Sequence, residues 1–116
     1  MSHPPVTVTA TTPLSEALRL MTVHRVHHLP VVAHDAQLVG MVSIDDLLAS
    51  RSADWRPTDA VAAVMRAPTV STTPTASLDE AVRLMNAHRV SALPVVDHGR
   101  TVGVLRQSDI ILALAG

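Results

Sequence analysis

The chain lacks cysteine, lysine, phenylalanine and tyrosine altogether, and Trp55 is its one aromatic residue. The absence of cysteine excludes disulfides and thiolate chemistry. The absence of lysine excludes Schiff-base catalysis and the lysine of a phosphate-binding P-loop. All nine basic residues are arginine, whose planar fork suits carboxylates and phosphates. A single aromatic provides no stacking platform of the kind that single-strand binders use. A formal net charge of -1 leaves no electrostatic footprint for nucleic acid. No apolar run approaches the roughly 20 residues of a membrane span. The start, MSHPPVTV, has neither the basic n-region nor the apolar h-region of a secretory signal. These absences predict a cytoplasmic chain that engages neither nucleic acid nor membrane. What is present, 47% hydrophobic and 16% charged residues over 116 positions, is the composition of one globular domain with a core of its own.

The main feature is an internal repeat. Residues 6–34 superimposed on 70–98 share 17 of 29 positions, among them Leu14/Leu78, Glu16/Glu80, Arg19/Arg83, Met21/Met85 and the run LPVV. One residue then drops out of the second copy, and LVGMVSIDDLL (38–48) matches TVGVLRQSDII (101–111), keeping Gly40/Gly103 and Asp46/Asp109. The joining stretch is 51–68, and its first half carries Arg51, Ser52, Asp54 and Pro57, as linkers do. This divides the chain into repeat 1 at 1–50, a linker at 51–57 and repeat 2 at 58–116.

Each copy reads β-α-β-β-α. PVTVTA (5–10) and PTVST (68–72) are short β-rich openings. Leu14, Ala17, Leu18 and Met21 fall on one helical face, with Thr12 as N-cap and Pro13 at the first helical position. Ser77-x-x-Glu80 reads as a capping box. LPVV and VGMV are nearly continuous apolar runs, as in strands covered on both sides. The joining turns are HDAQ in one copy and HGR in the other, and each copy ends in an apolar helix.

Three histidines crowd HRVHHLPVV (24–32), where the second copy has HRVSALPVV (88–96). His24 and His28, at i and i+4, would share a helix face as metal ligands do. Leu29-Pro30 argues against a helix that reaches residue 28, because the residue before a proline avoids the α conformation. His24 and His88, present in both copies, suit the negative ends of their helices. His34 and His98 fall in turns. Ser43-x-x-Asp46 is a helix-capping arrangement by spacing alone. Ser43, His24 and Asp46 include the residue types of a hydrolytic triad, but no G-x-S-x-G elbow accompanies them, so no enzyme activity is expected.

The doubled order, with HRVxxLPVV followed by VGxhxxxDhh (h, hydrophobic), resembles a CBS-domain pair, or Bateman module, over residues 6–115. The resemblance implies an α+β fold: tandem CBS repeats related by a pseudo-two-fold axis, with small sheets packed against helices. It implies a regulatory module that binds an adenosine-containing ligand (AMP, ADP, ATP or S-adenosylmethionine) between the repeats, with no obligatory cofactor. It also implies a homodimer that acts on an effector protein.

Carried over residue by residue, the resemblance places ribose hydroxyls on Asp46. It places phosphate by Ser43, the helix start, His27 and His28, and adenine by Val90, Ser91 and Ala92. Met65 and Val70 complete that cleft. A weaker second cleft would use Val6, Val26 and His27 with Arg106 and Asp109. With no counterpart of AVAAVM before PVTV, one wall of that cleft would be missing or supplied by another chain. Arg106 departs from the family's hydroxyl residue, and either contacts phosphate, closes the cleft or is solvated. The alternative is a structural or dimerisation module that binds no ligand, and the minor alternative is a histidine metal site.

Overall fold

The computed structural model describes residues 5–50, 55–67 and 70–115. By packing, the chain divides into two compact units, Val6–Thr69 and Val70–Gly116, the latter joined by Pro5. In the first unit α1 (Leu14–His24) leads into β1 (His28–Val32), β2 (Leu38–Ser43) and α2 (Ile44–Ser50). In the second, α3 (Leu78–His88) is followed by β3 (Ala92–Asp97), β4 (Arg100–Arg106) and α4 (Gln107–Ala115). Each unit holds a two-stranded antiparallel sheet, and the apolar runs LPVV and VGMV lie in strands, as the pattern predicts. Among the described residues no helix is long and apolar enough to cross a membrane.

The β-rich openings shrink to one residue each. Val8 makes a parallel bridge with Val31, and Thr72 makes the equivalent one with Val95. Residues 68 and 69 of the second opening lie outside the described residues.

The two hairpins explain the change of repeat spacing. β3 and β4 are joined by two residues, His98 and Gly99, both at positive φ (51° and 78°), the backbone that two-residue hairpins favour. In the first unit a longer turn through His34–Ala36 does the same task, with Asp35 and Ala36 left-handed instead.

In the first unit, Leu14, Ala17 and Met21 of α1 are buried with Leu29, Val31, Val42, Leu47 and Val61. The helical face read from the sequence is thus the packed one. The cap differs. Pro13, with an extended backbone, is the N-cap, and no side chain caps the helix. Thr12 instead accepts the Thr9 N–H through its hydroxyl at 3.0 Å. The first N–H groups of a helix have no partner within it. Here carbonyls from the following segment supply them: Asp59 for Leu14 N–H at 2.8 Å and Pro57 for Ser15 N–H at 3.0 Å.

The segment after the linker therefore packs on the first copy. Val61 and Ala62 donate to Thr12 and Ala10, and Arg66 and Met41 exchange both backbone hydrogen bonds. The linker read from the sequence starts the second copy at 58, whereas packing keeps residues up to 69 with the first. Trp55 is held here too, donating its indole N–H to the Leu47 carbonyl at 2.8 Å. Residues 51–54 of the linker lie outside the described residues.

The second unit packs Ala81, Met85, Leu93 and Ile110, with Val70, Val82, Leu84, Val90 and Leu105 against them. Ser77 caps α3, accepting the Glu80 N–H at 3.1 Å, as the capping box predicts.

Candidate ligand site

The loop between α1 and β1 is set by a sharp helix stop. Arg25 ends α1 in the left-handed conformation (φ 54°, ψ 46°) and returns its N–H to the Met21 carbonyl. His24 is thus the last helical residue and His28 the first of β1, so the two do not share a helix face. Among the described residues no group of three or more His, Asp or Glu side chains is placed to hold a metal ion.

His28 lies opposite Ser43 in the β1–β2 register. Ser43 ends β2 and caps α2, its Oγ accepting the Asp46 N–H at 3.0 Å. The Ile44 N–H donates to the His27 carbonyl at 2.9 Å. Two donors at the helix start that were expected to face a phosphate therefore have protein partners already. The His27 side chain is exposed and His28 is half-buried. Burial pushes the His28 pKa below its ordinary value. The charge of His27 adds to that, while Asp45 and Asp46 oppose it.

Asp46 sits in the first turn of α2 with its side chain only 14% exposed, and its Oδ1 accepts from Arg66 Nε at 2.9 Å. Arg66 arrives from outside the repeat core because its backbone forms an antiparallel bridge with Met41. That approach needs Gly40. A Cβ there would fall 2.9 Å from Met65 Sδ and 3.0 Å from the Arg66 carbonyl oxygen. Met65 packs against Gly40 and the first core, as do Val6 and Val26 against that core. Within one unit the structure thus brings together Ser43, Asp46, His28, the His27 backbone and Met65.

Arg66 was not among the expected residues. Its counterpart by the repeat spacing is Ser2, so the first copy offers no matching arginine to flag it. Its position after AVAAVM was the one available signal.

In the other unit, Val70 and Val90 pack on the second core, Ser91 is exposed and Ala92 is buried. The Ser91 carbonyl accepts the Gln107 N–H at 2.8 Å, the counterpart of the His27–Ile44 bond. Ala92 opens β3 opposite Arg106. Arg106 is committed locally. Its backbone N–H donates to Asp109 Oδ2 at 2.8 Å, its Nε to the same oxygen at 3.3 Å and its Nη2 to Oδ1 at 3.0 Å. Asp109 thus caps α4 from inside the helix, where Ser43 caps α2 from before it. Partial burial raises the Asp109 pKa, but the side-chain and backbone hydrogen bonds from Arg106 outweigh it and leave the carboxyl below its usual range. Of the three roles open to Arg106, the structure shows a pair with its own carboxylate.

The CBS domain family profile matches this chain twice, over residues 1–53 and 61–116. The chain belongs to the CBS domain family. As a tandem CBS pair it is 34% identical over 105 residues to the CBS domain-containing protein YhcV of Bacillus subtilis, covering 90% of this chain and 74% of that protein. It is 33% identical over 114 residues to a homoserine O-acetyltransferase of Methanocorpusculum labreanum, but spans only 23% of that protein's length.

Two solved structures share the fold closely. The CBS domain pair of protein MJ0100, in complex with 5′-methylthioadenosine and S-adenosyl-L-methionine, has a TM-score of 0.90 at 25% identity, covering 100% of this chain and 92% of that one. CBSX2 in complex with AMP has a TM-score of 0.84 at 28% identity, covering 97% and 88%.

Proposed function

We propose that this CBS pair is a regulatory module that binds an adenosine-containing ligand, with Asp46 accepting the ribose hydroxyls. The observation that carries it is the Asp46 carboxylate itself. It is largely buried, yet among the described residues its one side-chain partner is an exposed arginine, on a single oxygen. A buried carboxylate with acceptor capacity to spare suits a diol, as the acidic residue of a dinucleotide-binding fold does. The adenosine compounds held by the two similar CBS pairs support the ligand class.

In this proposal Ser43, His27, His28 and Met65 surround the ligand on the first unit. Val70, Val90, Ser91 and Ala92 of the other unit are carried as its adenine-side residues. Val6, Val26, Arg106 and Asp109 form the weaker second site, weakened further by the Arg106–Asp109 pair. The module does no chemistry. It acts on an effector protein by binding ligand more tightly in one arrangement than in another. Assembly as a homodimer belongs to the same proposal and is supported by the exposed Ile111, Leu112 and Leu114 of α4.

The test is thermal unfolding with AMP, ADP, ATP and S-adenosylmethionine, on the unaltered chain and on Asp46→Ala. A ligand at 100 times its Kd adds about 2.7 kcal/mol, several degrees for a domain of this size. Stabilisation by one of these ligands that is lost in Asp46→Ala supports the proposal. Indifference to all four, in protein shown to carry no ligand through purification, favours the structural module.

A further inference from the structure

Each ribose-type carboxylate of the pair carries one arginine, and the two arginines differ in what they leave over. Arg106 lies side-on to Asp109, with Nε and Nη2 both on the carboxylate. Its Nε–Nη2 edge is occupied. Arg66 meets Asp46 through Nε alone, and among the described residues its terminal nitrogens make no hydrogen bond. Its side chain is 71% exposed, and its backbone is pinned to Met41 on both sides of the peptide. A fixed backbone and one anchored nitrogen leave the terminal N–H donors beside the carboxylate, facing outward.

The local charge gives that arrangement a purpose. Asp45 and Asp46 put two carboxylates at the start of α2, and these repel any anionic group brought to the site. His28 is a weak counterweight, because burial favours its neutral form. Arg66 is the cation in direct contact with Asp46. In a ribonucleoside 5′-phosphate the phosphoryl group and the 2′,3′-diol hang from the same five-membered ring. Donors for the phosphate must therefore sit close to the diol's acceptor without occupying it.

Building on the assignment of ribose to Asp46, we propose that Arg66 is the phosphate-selecting residue of that site. Its Nε orients the carboxylate, and its terminal nitrogens take the 5′-phosphate of a ribonucleotide in a charge-assisted fork. The site thereby prefers a phosphorylated adenosine ligand to an uncharged one.

Titration calorimetry of AMP and adenosine against the unaltered chain and Arg66→Gln tests this. The unaltered chain binds AMP more tightly than adenosine by about tenfold to a hundredfold, the range of one charge-assisted contact. In Arg66→Gln the AMP affinity falls by more than the adenosine affinity, and the preference for AMP collapses towards unity. Arg66→Lys, which keeps the charge but not the fork, falls between the two. The thermal midpoint of unliganded Arg66→Gln stays close to that of the unaltered chain, since an ion pair with so exposed a partner adds little stability.

An unchanged AMP-to-adenosine ratio in Arg66→Gln overturns the assignment, as does equal loss of both ligands or tighter binding of both. Failure of the unaltered chain to bind either compound overturns the ribose site itself, and this assignment with it.

Discussion

Gly40 and Met65, 25 positions apart in sequence, lie so close that a Cβ on Gly40 would come within 2.9 Å of the Met65 sulfur. The same Cβ would meet the Arg66 carbonyl oxygen at 3.0 Å. That oxygen is backbone, and it already accepts the Met41 N–H, so it cannot move without breaking the bridge. Gly40→Ala is expected to destabilise the first unit by about 1–3 kcal/mol, the usual cost of overpacking. It should also weaken ligand binding at Asp46, because Arg66 shifts with its carbonyl. Denaturant unfolding and calorimetry on the same variant check both effects.

Thr72 occupies in the second unit the place that Val8 has in the first, each bridged to the third residue of LPVV, Val31 or Val95. Thr72 is buried, and its Oγ1 has no hydrogen-bond partner among the described residues. A buried hydroxyl without a partner costs about 1–3 kcal/mol. Thr72→Val should therefore raise stability by about 1 kcal/mol. Val8→Thr, the reverse change in the first unit, should lower it by a similar amount. The shift of the urea midpoint at constant slope is the measurement.

Arg25 and Arg89 both end their helices in the left-handed region, at φ 54° and 53°. A side chain there costs about 1 kcal/mol relative to glycine. Both residues are exposed. Arg25→Gly and Arg89→Gly should each stabilise by a few tenths to about 1 kcal/mol, the larger chain entropy of glycine in the unfolded state taking back part of the gain. Their unfolding midpoints, singly and together, test whether the two sites are equivalent and additive.

His28 makes folding depend on pH. Its pKa in the folded chain lies below the ordinary value of 6.5, chiefly through burial. Below about pH 6.5 the unfolded chain therefore binds this proton more readily than the folded one. The stability tied to neutral His28 is fully present above pH 6.5 and is lost as pH falls through the lower, folded-state pKa. Unfolding free energies at about pH 7.5 and about pH 5.5 should differ less in His28→Gln than in the unaltered chain.

Much of this protein is set by its sequence alone. The spacing of 64, the LPVV runs, the apolar face through Leu14, Ala17 and Met21, and the Ser77 cap are all local or periodic, and local chemistry selects them. Ser43 as a cap was equally legible, since a hydroxyl three residues before an acidic helical residue has a short-range partner in the Asp46 N–H.

Tertiary structure decided what depends on segments meeting from a distance. Thr12 lost the cap of α1 because the carbonyls of Pro57 and Asp59 come from 40 or more positions away to meet Leu14 and Ser15. The segment after the linker joined the first core rather than the second for the same reason, since the orphan N–H groups and the apolar surface it satisfies belong to α1. Arg66 reaches Asp46 across 20 positions because Gly40 leaves room for its backbone, and no repeat or period in the chain could register that approach. Arg106 was visible in the sequence, yet only the folded geometry shows the Nε–Nη2 edge of its guanidinium paired with Asp109, three residues along the same turn. Periodicity fixes which faces are apolar; which carboxylate an arginine finds is fixed by where the backbone brings it.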